Sequence, residues 1–379
     1  MGVLDGVRVL EIAGLGPAPF CGMLLADMGA QVTLVERPAG KGDDPLHLGR
    51  NAIINRGKRS LALDLKDRLA MEAALNLVEG ADVLIEGMRP GAMERLGLGP
   101  DACLARNPRL VYGRMTGWGQ QGPLAQAAGH DINYIALSGA LWFSGTPGTA
   151  PMAPPTLVGD LGGGALYLAM GVLAGVLYAR THGTGQVIDA AIVDGSANMM
   201  NLLLSAHAAG QQPMARGRGM LDGPHWYGSY RCADGHYISI GALEPQFSTL
   251  LFAKLGLAGE ADFNHPYNPR TWTRLRTRLE GIFGAQPRAH WVNLMEGSDA
   301  CFAPVLSPAE ALTHPHMVAR DIYFEHDGML QARPAPRFSA CASRPGVVPG
   351  RGQHGAEILL EAGLDAASIA HLLNASASS

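Results

Sequence analysis

The chain is poor in the features that announce many protein classes. It has five cysteines in 379 residues, Cys21, Cys103, Cys232, Cys301 and Cys341. They are odd in number, far apart and never spaced Cys-x-x-Cys, which argues against a disulfide framework and a zinc or thiol-redox site and for free thiols in a reducing compartment. Charged residues are only 16%, with 29 Lys and Arg against 33 Asp and Glu for a net charge of -4. A nucleic-acid binder would show a basic excess or stripe. No His/Cys/Asp cluster has metal-ligand spacing, and His314-Pro-His316 reads as a loop pair. The N-terminal "MGVLDGVRVLEIAG" carries Asp5, Arg8 and Glu11 where a signal peptide needs an apolar run, and "NASASS" is no ER or peroxisomal address. A cytoplasmic location is the expectation. No internal repeat is present.

One long hydrophobic run exists. Leu161 to Ala179, "LGGGALYLAMGVLAGVLYA", is uncharged for 19 residues. Five glycines, no flanking tryptophan and Asp160 at its start argue against a membrane span and for a helix buried in a soluble core. Gly171 and Gly175 would let another backbone come close. At 47% hydrophobic residues the chain is an ordinary globular protein, long enough for two domains.

Periodicity places the elements. "VRVLEI", a turn "AGLGPAP", a helical "FCGMLLADMG" and "QVTLVE" form a βαβ opening. Its Gly14-x-Gly16 invites a dinucleotide reading, which fails because Pro19 stands where the third glycine belongs and Pro17 stiffens the loop. "SLALDLK", a helix from Asp67 to Glu79, "ADVLIEGM" and "PRLVYGRMTGWG" continue the alternation, which predicts an α/β fold with a mainly parallel sheet and flanking helices. "GTGQVIDAAIVDGSANMMNLLLSAHAAG" adds a strand and a helix. The texture then changes, with "YGSYRC" and "HYISIGA" reading as a hairpin around Ala233-Asp234-Gly235, helices to about residue 320 and a Pro/Gly-rich tail. The expected division is a large domain, 1–200 completed by 321–379, and a smaller α+β domain, 201–320. The one dense basic cluster, Arg56, Lys58 and Arg59, is read as a solvated turn or a phosphate contact.

Two stretches carry chemistry. "AGHDINY" sets His130 beside Asp131 before apolar chain, either as a packed histidine at the head of a helix or as a proton-transfer group, since imidazole titrates nearest neutrality. "PPTLVGDLGGG" places Asp160 before three glycines. An aspartate there suits a helix N-cap, and a helix N-terminus also favours a carboxylate or a developing enolate.

Taken together, "AGHDINY", "PPTLVGDLGGG", "GKRSLALDLK", "ADVLIEGMRPGAMERLGLGP", "YGRMTGWGQQGP", "GTGQVIDAAIVDGS" and "GALEPQF" resemble the 2-methylacyl-CoA racemases, within the class III CoA-transferases, from about Leu4 to Ser339. The resemblance implies an interlocked homodimer with shared active sites, an acyl-CoA substrate and no cofactor beyond the CoA of that substrate. It makes His130 and Asp160 the two acid/bases, with Glu244 supporting the histidine of the other subunit. It places CoA at Arg37, at Leu63, Asp64, Leu65 and Lys66, and at Gly129, Asp131, Ile132, Asn133 and Tyr134, with Arg89 a further candidate for the phosphates. The enolate oxygen is expected on amides at the start of the Asp160 helix. Thr156 departs from the pattern, which has asparagine there. Two other readings stay open: CoA transfer with Asp160 as nucleophile, and a CoA-binding scaffold without activity.

Overall fold

The structure, a computed structural model, describes residues 2–38 and 48–377. It divides into two compact units: Met1–Ala140 with Pro154–Met199 and Ile322–Ser379, and Leu141–Ala153 with Met200–Asp321.

The first unit is built on six parallel strands, β1 (Arg8–Ile12), β2 (Gln31–Glu36), β3 (Arg59–Ala62), β4 (Val83–Glu86), β5 (Val111–Thr116) and β6 (Gln186–Ala191), in the order β3-β2-β1-β4-β5-β6. Successive residues of the same strand serve opposite faces. Val9, Val32 and Ile85 pack with α1 (Pro17–Asp27), whereas Leu10, Val35 and Leu84 pack with α2 (Arg68–Glu79) and the C-terminal residues Ile358 and Leu372. Local chemistry sets the helix starts. Asp67 caps α2 by accepting from the amides of Leu69 and Ala70 at 2.8 and 3.0 Å. Pro17 opens α1 behind Gly16, whose φ of 66° lies in the left-handed region. Two short helices follow, α3 (Ala92–Arg95) and α4 (Pro100–Arg106), then α5 (Asp131–Ser138).

The basic cluster is neither a solvated turn nor a phosphate contact. Lys58 Nζ donates to Glu11 Oε1 at 2.8 Å and to the Pro19 carbonyl at 2.9 Å, with both charged side chains fully out of solvent. Arg56 bonds Asp27 and, through Nη1, the Gln331 side chain at 3.0 Å, while Arg59 meets Glu361. The three cations tie β1, α1 and the C-terminal segment together.

The long apolar run also departs from expectation. A π-helix, Leu157–Ala165, leads directly into α6 (Leu166–His182). One face of α6 packs on the sheet, with Leu168, Val172 and Val176 buried, and its glycines admit side chains rather than the expected second backbone: a Cβ on Gly175 would lie 2.7 Å from Val111 Cγ1. The other face is open, with Met170 60% and Leu177 68% exposed. Full burial on all sides does not occur, because the sheet can cover only one face. A short helix, α7 (Ile192–Met199), packs against the π-helix.

The second unit holds an antiparallel sheet of β7 (Tyr227–Arg231), β8 (Tyr237–Gly241) and β9 (Phe302–Val305). The turn at Asp234-Gly235 joins β7 to β8, Gly235 having a φ of 82°. Helices α9 (Pro245–Lys254), α10 (Trp272–Gly284) and α11 (Arg288–Met295) pack around Trp226, Tyr230 and Phe283, while α8 (Asn201–Ala208) buries none of its residues. Leu141–Ala153 groups with this unit because Trp142 Nε1 reaches the Met214 carbonyl at 2.8 Å and Arg216 bonds the carbonyls of Ser144 and Thr149.

Candidate active site

In an open parallel sheet, ligands bind beyond the carboxyl ends of the strands, where the strand order reverses. Here that reversal lies between β1 and β4. The loops leaving these strands flank it closely: a Cβ on Gly14 would sit 4.0 Å from the Cα of Gly87. Gly16, at the N-terminus of α1, faces Asp160, whose Oδ2 lies 3.4 Å from a Cβ built on Gly16. A carboxylate therefore occupies the ground that a dinucleotide fold gives to pyrophosphate.

His130 precedes α5 in extended conformation and is exposed. Its amide donates to Asn133 Oδ1 at 3.0 Å, so the helix start is closed by a side chain three residues on. Tyr134 supports the turn from below. Its hydroxyl donates to the Gly129 carbonyl and its ring meets Trp118 edge-on at 4.7 Å. Gly117 and Gly129 make room for that ring, since a Cβ on either would fall 2.0 and 2.8 Å from Tyr134 atoms. Burial raises the Tyr134 phenol, the nearby charge of Asp160 adds to the rise, and Arg89 opposes it.

Asp160 does not cap a helix. It lies in the first turn of the π-helix, whose N-cap is Thr156 at a φ of 61°. Nor are the amides around it free for an enolate. Those of Gly159 and Asp160 both donate to Asp131 Oδ1 at 2.8 Å, and that of Leu161 donates to the Thr156 carbonyl at 3.1 Å. The Asp160 carboxyl is pushed up to about 6, first by burial and then by the charge of Asp131, against a lowering from His130. The two groups marked by the sequence are therefore near enough to act electrostatically on each other.

The expected CoA contacts spread along the same strand ends. Arg37 follows β2 and Arg89 follows β4, both exposed. Leu63 continues the β3 pairing through its amide to the Glu36 carbonyl at 2.8 Å, and its side chain is core. Leu65 is partly buried against the same core, Asp64 is half-buried, and Lys66 is exposed. Of the α5 segment, Ile132 and Asn133 are exposed, Gly129 is half-buried, and Asp131 and Tyr134 are buried. Glu244 belongs to the second unit, exposed at the start of α9; burial raises Tyr267 and Cys301, and the charge of Glu244 adds to both rises. Beside it lies a cavity of about 660 Å³ lined by Pro245, Phe252, Leu257, Phe263 and Tyr267. Sequence reasoning missed the bond from Asp131 to the Asp160 segment and the packing of Gly16 on Asp160. No local pattern signals partners so distant in the chain.

A histidine and a raised carboxyl thus stand together at the switch point of a doubly wound sheet. Residues 4–355 match the model of CoA-transferase family III, and the chain belongs to that family. It is 40% identical to alpha-methylacyl-CoA racemase of Mus musculus over 98% of this chain and 96% of the relative. To the Homo sapiens alpha-methylacyl-CoA racemase it is 39% identical, over 97% and 96%. Among solved structures it resembles a CaiB/BaiF family protein from Brucella suis, with a TM-score of 0.80, 27% identity, and coverage of 95% of this chain and 99% of the other.

Proposed function

We propose that the protein interconverts the C2 epimers of 2-methylacyl-CoA thioesters by two-base proton transfer through an enolate. The observation that carries this is the pairing of His130 with an Asp160 carboxyl raised to about 6. Inversion needs two groups on opposite faces of one carbon, each a base in one direction and an acid in the other. A carboxyl near 6 is ionised enough at neutral pH to take a proton and basic enough to hold one. Identity to two racemases along nearly the whole chain supports the same reading.

The enolate oxygen then falls to the start of α5. The amides of Asp131 and Ile132 lie in its first turn, where a helix leaves N–H groups without intrahelical acceptors. Arg37 and Arg89 would meet the CoA phosphates, with charge-assisted bonds that favour guanidinium. CoA enters as part of the substrate, and no separate cofactor takes part. The working form is an interlocked homodimer in which Glu244 of one subunit supports His130 of the other. The open apolar face of α6, including Met170 and Leu177, supports association, since exposed apolar patches mark interaction surfaces.

The test is incubation with one enantiomer of a 2-methylacyl-CoA in D₂O with no acceptor acid. Deuterium at C2 with loss of optical purity is expected, and His130→Ala should slow exchange from one enantiomer more than from the other. No exchange at C2, with CoA passed to an added acceptor acid, would instead assign Asp160 as the nucleophile of a CoA-transferase. CoA binding with neither exchange nor transfer to an acceptor would leave only a scaffold.

A further inference from the structure

We propose that Asp131 is a positioning residue, whose carboxylate locks the segment bearing Asp160 onto the segment bearing His130. The inference rests on the racemase reading for its kinetic consequence, though not for its geometry. Asp131 is buried at 9% exposure, and its single oxygen Oδ1 accepts from the amides of both Gly159 and Asp160 at 2.8 Å. These bonds cross 28 and 29 residues of chain and are the side-chain link between the two segments. They are charge-assisted, so they are shorter and stronger than neutral ones.

The surrounding residues are fitted to this contact. A Cβ on Gly159 would lie 2.5 Å from Asp131 Oδ1 and 2.9 Å from Ile135 Cγ2, so only glycine lets the backbone come this near. The first turn of any helix leaves amides without partners, and a π-helix is a poor frame that needs outside support. Asp131 supplies that support. Because it is the next residue after His130, a shift of the Asp160 loop is transmitted directly to the imidazole, and the separation of the two bases is held by one side chain.

The same carboxylate acts on Asp160 by charge. Asp131, His130 and Tyr134 are the ionisable side chains that α5 and its start turn toward Asp160. From the other elements packed there, Asp27 of α1 is bound to Arg56, Cys21 of α1 lies beside Glu11 and Lys58, Arg114 of β5 is bound to Glu86 and Glu94, and Asp194 of α7 is exposed. Asp131 is thus the like charge that helps hold the Asp160 carboxyl up.

Asp131→Ala and Asp131→Asn separate the two effects. Asparagine keeps Oδ1 as an acceptor and removes the charge. With the C2 exchange assay, Asp131→Ala should lose roughly 10²-fold from both enantiomers, the scale of a misplaced catalytic group. Asp131→Asn should recover most of that loss, while the acid limb of its pH–rate profile moves to lower pH than in the unsubstituted protein. Equal rates for the two variants, or an Asp131→Asn profile that coincides with the unsubstituted one, would overturn the proposal. Backbone amide hydrogen exchange gives a readout independent of turnover: the Gly159 and Asp160 amides should exchange faster in Asp131→Ala and stay protected in Asp131→Asn. If the unsubstituted protein shows no C2 exchange, the racemase reading fails while this amide measurement still decides the role of Asp131.

Discussion

Gly16 stands directly against Asp160, with only 3.4 Å between the Asp160 Oδ2 and the place a Cβ would occupy on Gly16. That distance is ordinary contact, so space alone would admit alanine. The backbone would not, because a φ of 66° is costly for any residue with a Cβ. Gly16→Ala should therefore relax the turn, displace the first turn of α1 and move the Asp160 carboxylate. We expect a loss of about 10–10²-fold in C2 exchange with little change in CoA affinity. Exchange within twofold of the unsubstituted protein would show that this contact does not position the base.

The raised Asp160 carboxyl sets a pH dependence. When Asp160 acts as the base, its deprotonated form is needed, so exchange from that enantiomer should rise with pH through about 6 and then level. For inversion the two directions start from enzyme forms that differ only in which base carries the proton, so their kcat/KM profiles must run in parallel. An exchange profile that stays flat through about pH 6 would argue against Asp160 as the base.

The same shift is a statement about stability. The folded protein prefers Asp160 protonated, since its carboxyl moves from 3.8 to about 6. The stability from this preference is complete below the unfolded value and is lost as pH rises through about 6. Asp160→Asn should remove the loss and raise the melting temperature at pH 7.5 but not at pH 3.5. Because Asp160 is partly exposed, solvent screening keeps the gain to about 1 kcal/mol. A variant that melts alike at both pH values relative to the unsubstituted protein contradicts the shift.

Lys58 and Glu11 predict a different kind of loss. Removing one member of a buried pair leaves the other charge without compensation, which costs about 3–5 kcal/mol. Lys58→Met should lower the urea midpoint accordingly and also free the Pro19 carbonyl at the start of α1. Pairing it with Glu11→Leu should restore much of the stability, since apolar replacement of both partners is often neutral. A Lys58→Met protein as stable as the unsubstituted one would mean that this pair contributes nothing.

Thr156 holds a φ of 61°, an unfavourable conformation for a β-branched residue. Asparagine tolerates the left-handed region better, so Thr156→Asn should stabilise the protein by about 1 kcal/mol, read as a rise in the thermal midpoint. An unchanged or lower midpoint would show that the Thr156 side chain makes up for its backbone.

Much of this molecule could be read along the chain. β2 runs from Gln31 to Glu36, the residues whose alternation and branching mark it, and α2 starts behind the Asp67 that caps it. The parallel sheet followed from strands alternating with helices, and His130 and Asp160 stood out because ionisable groups at the mouth of apolar chain are unusual. These are short-range signals: pleat period, helix period and the valence of a cap all act within a few residues.

Folding in three dimensions decided the remainder. Arg56 and Lys58 look like solvated cations in sequence and are buried ion pairs, because their partners Asp27 and Glu11 arrive from other elements 29 and 47 residues away. The helix at Leu166–His182 is apolar all round in sequence, yet the sheet covers one side of it only. Asp131 passes for one more polar residue of its segment until the chain returns with Gly159 and Asp160 to meet it. Residue types and their local spacing determine which groups are available for chemistry. Which of them meet, how far each is desolvated, and so where each titrates, depends on contacts made across long loops that no local pattern encodes.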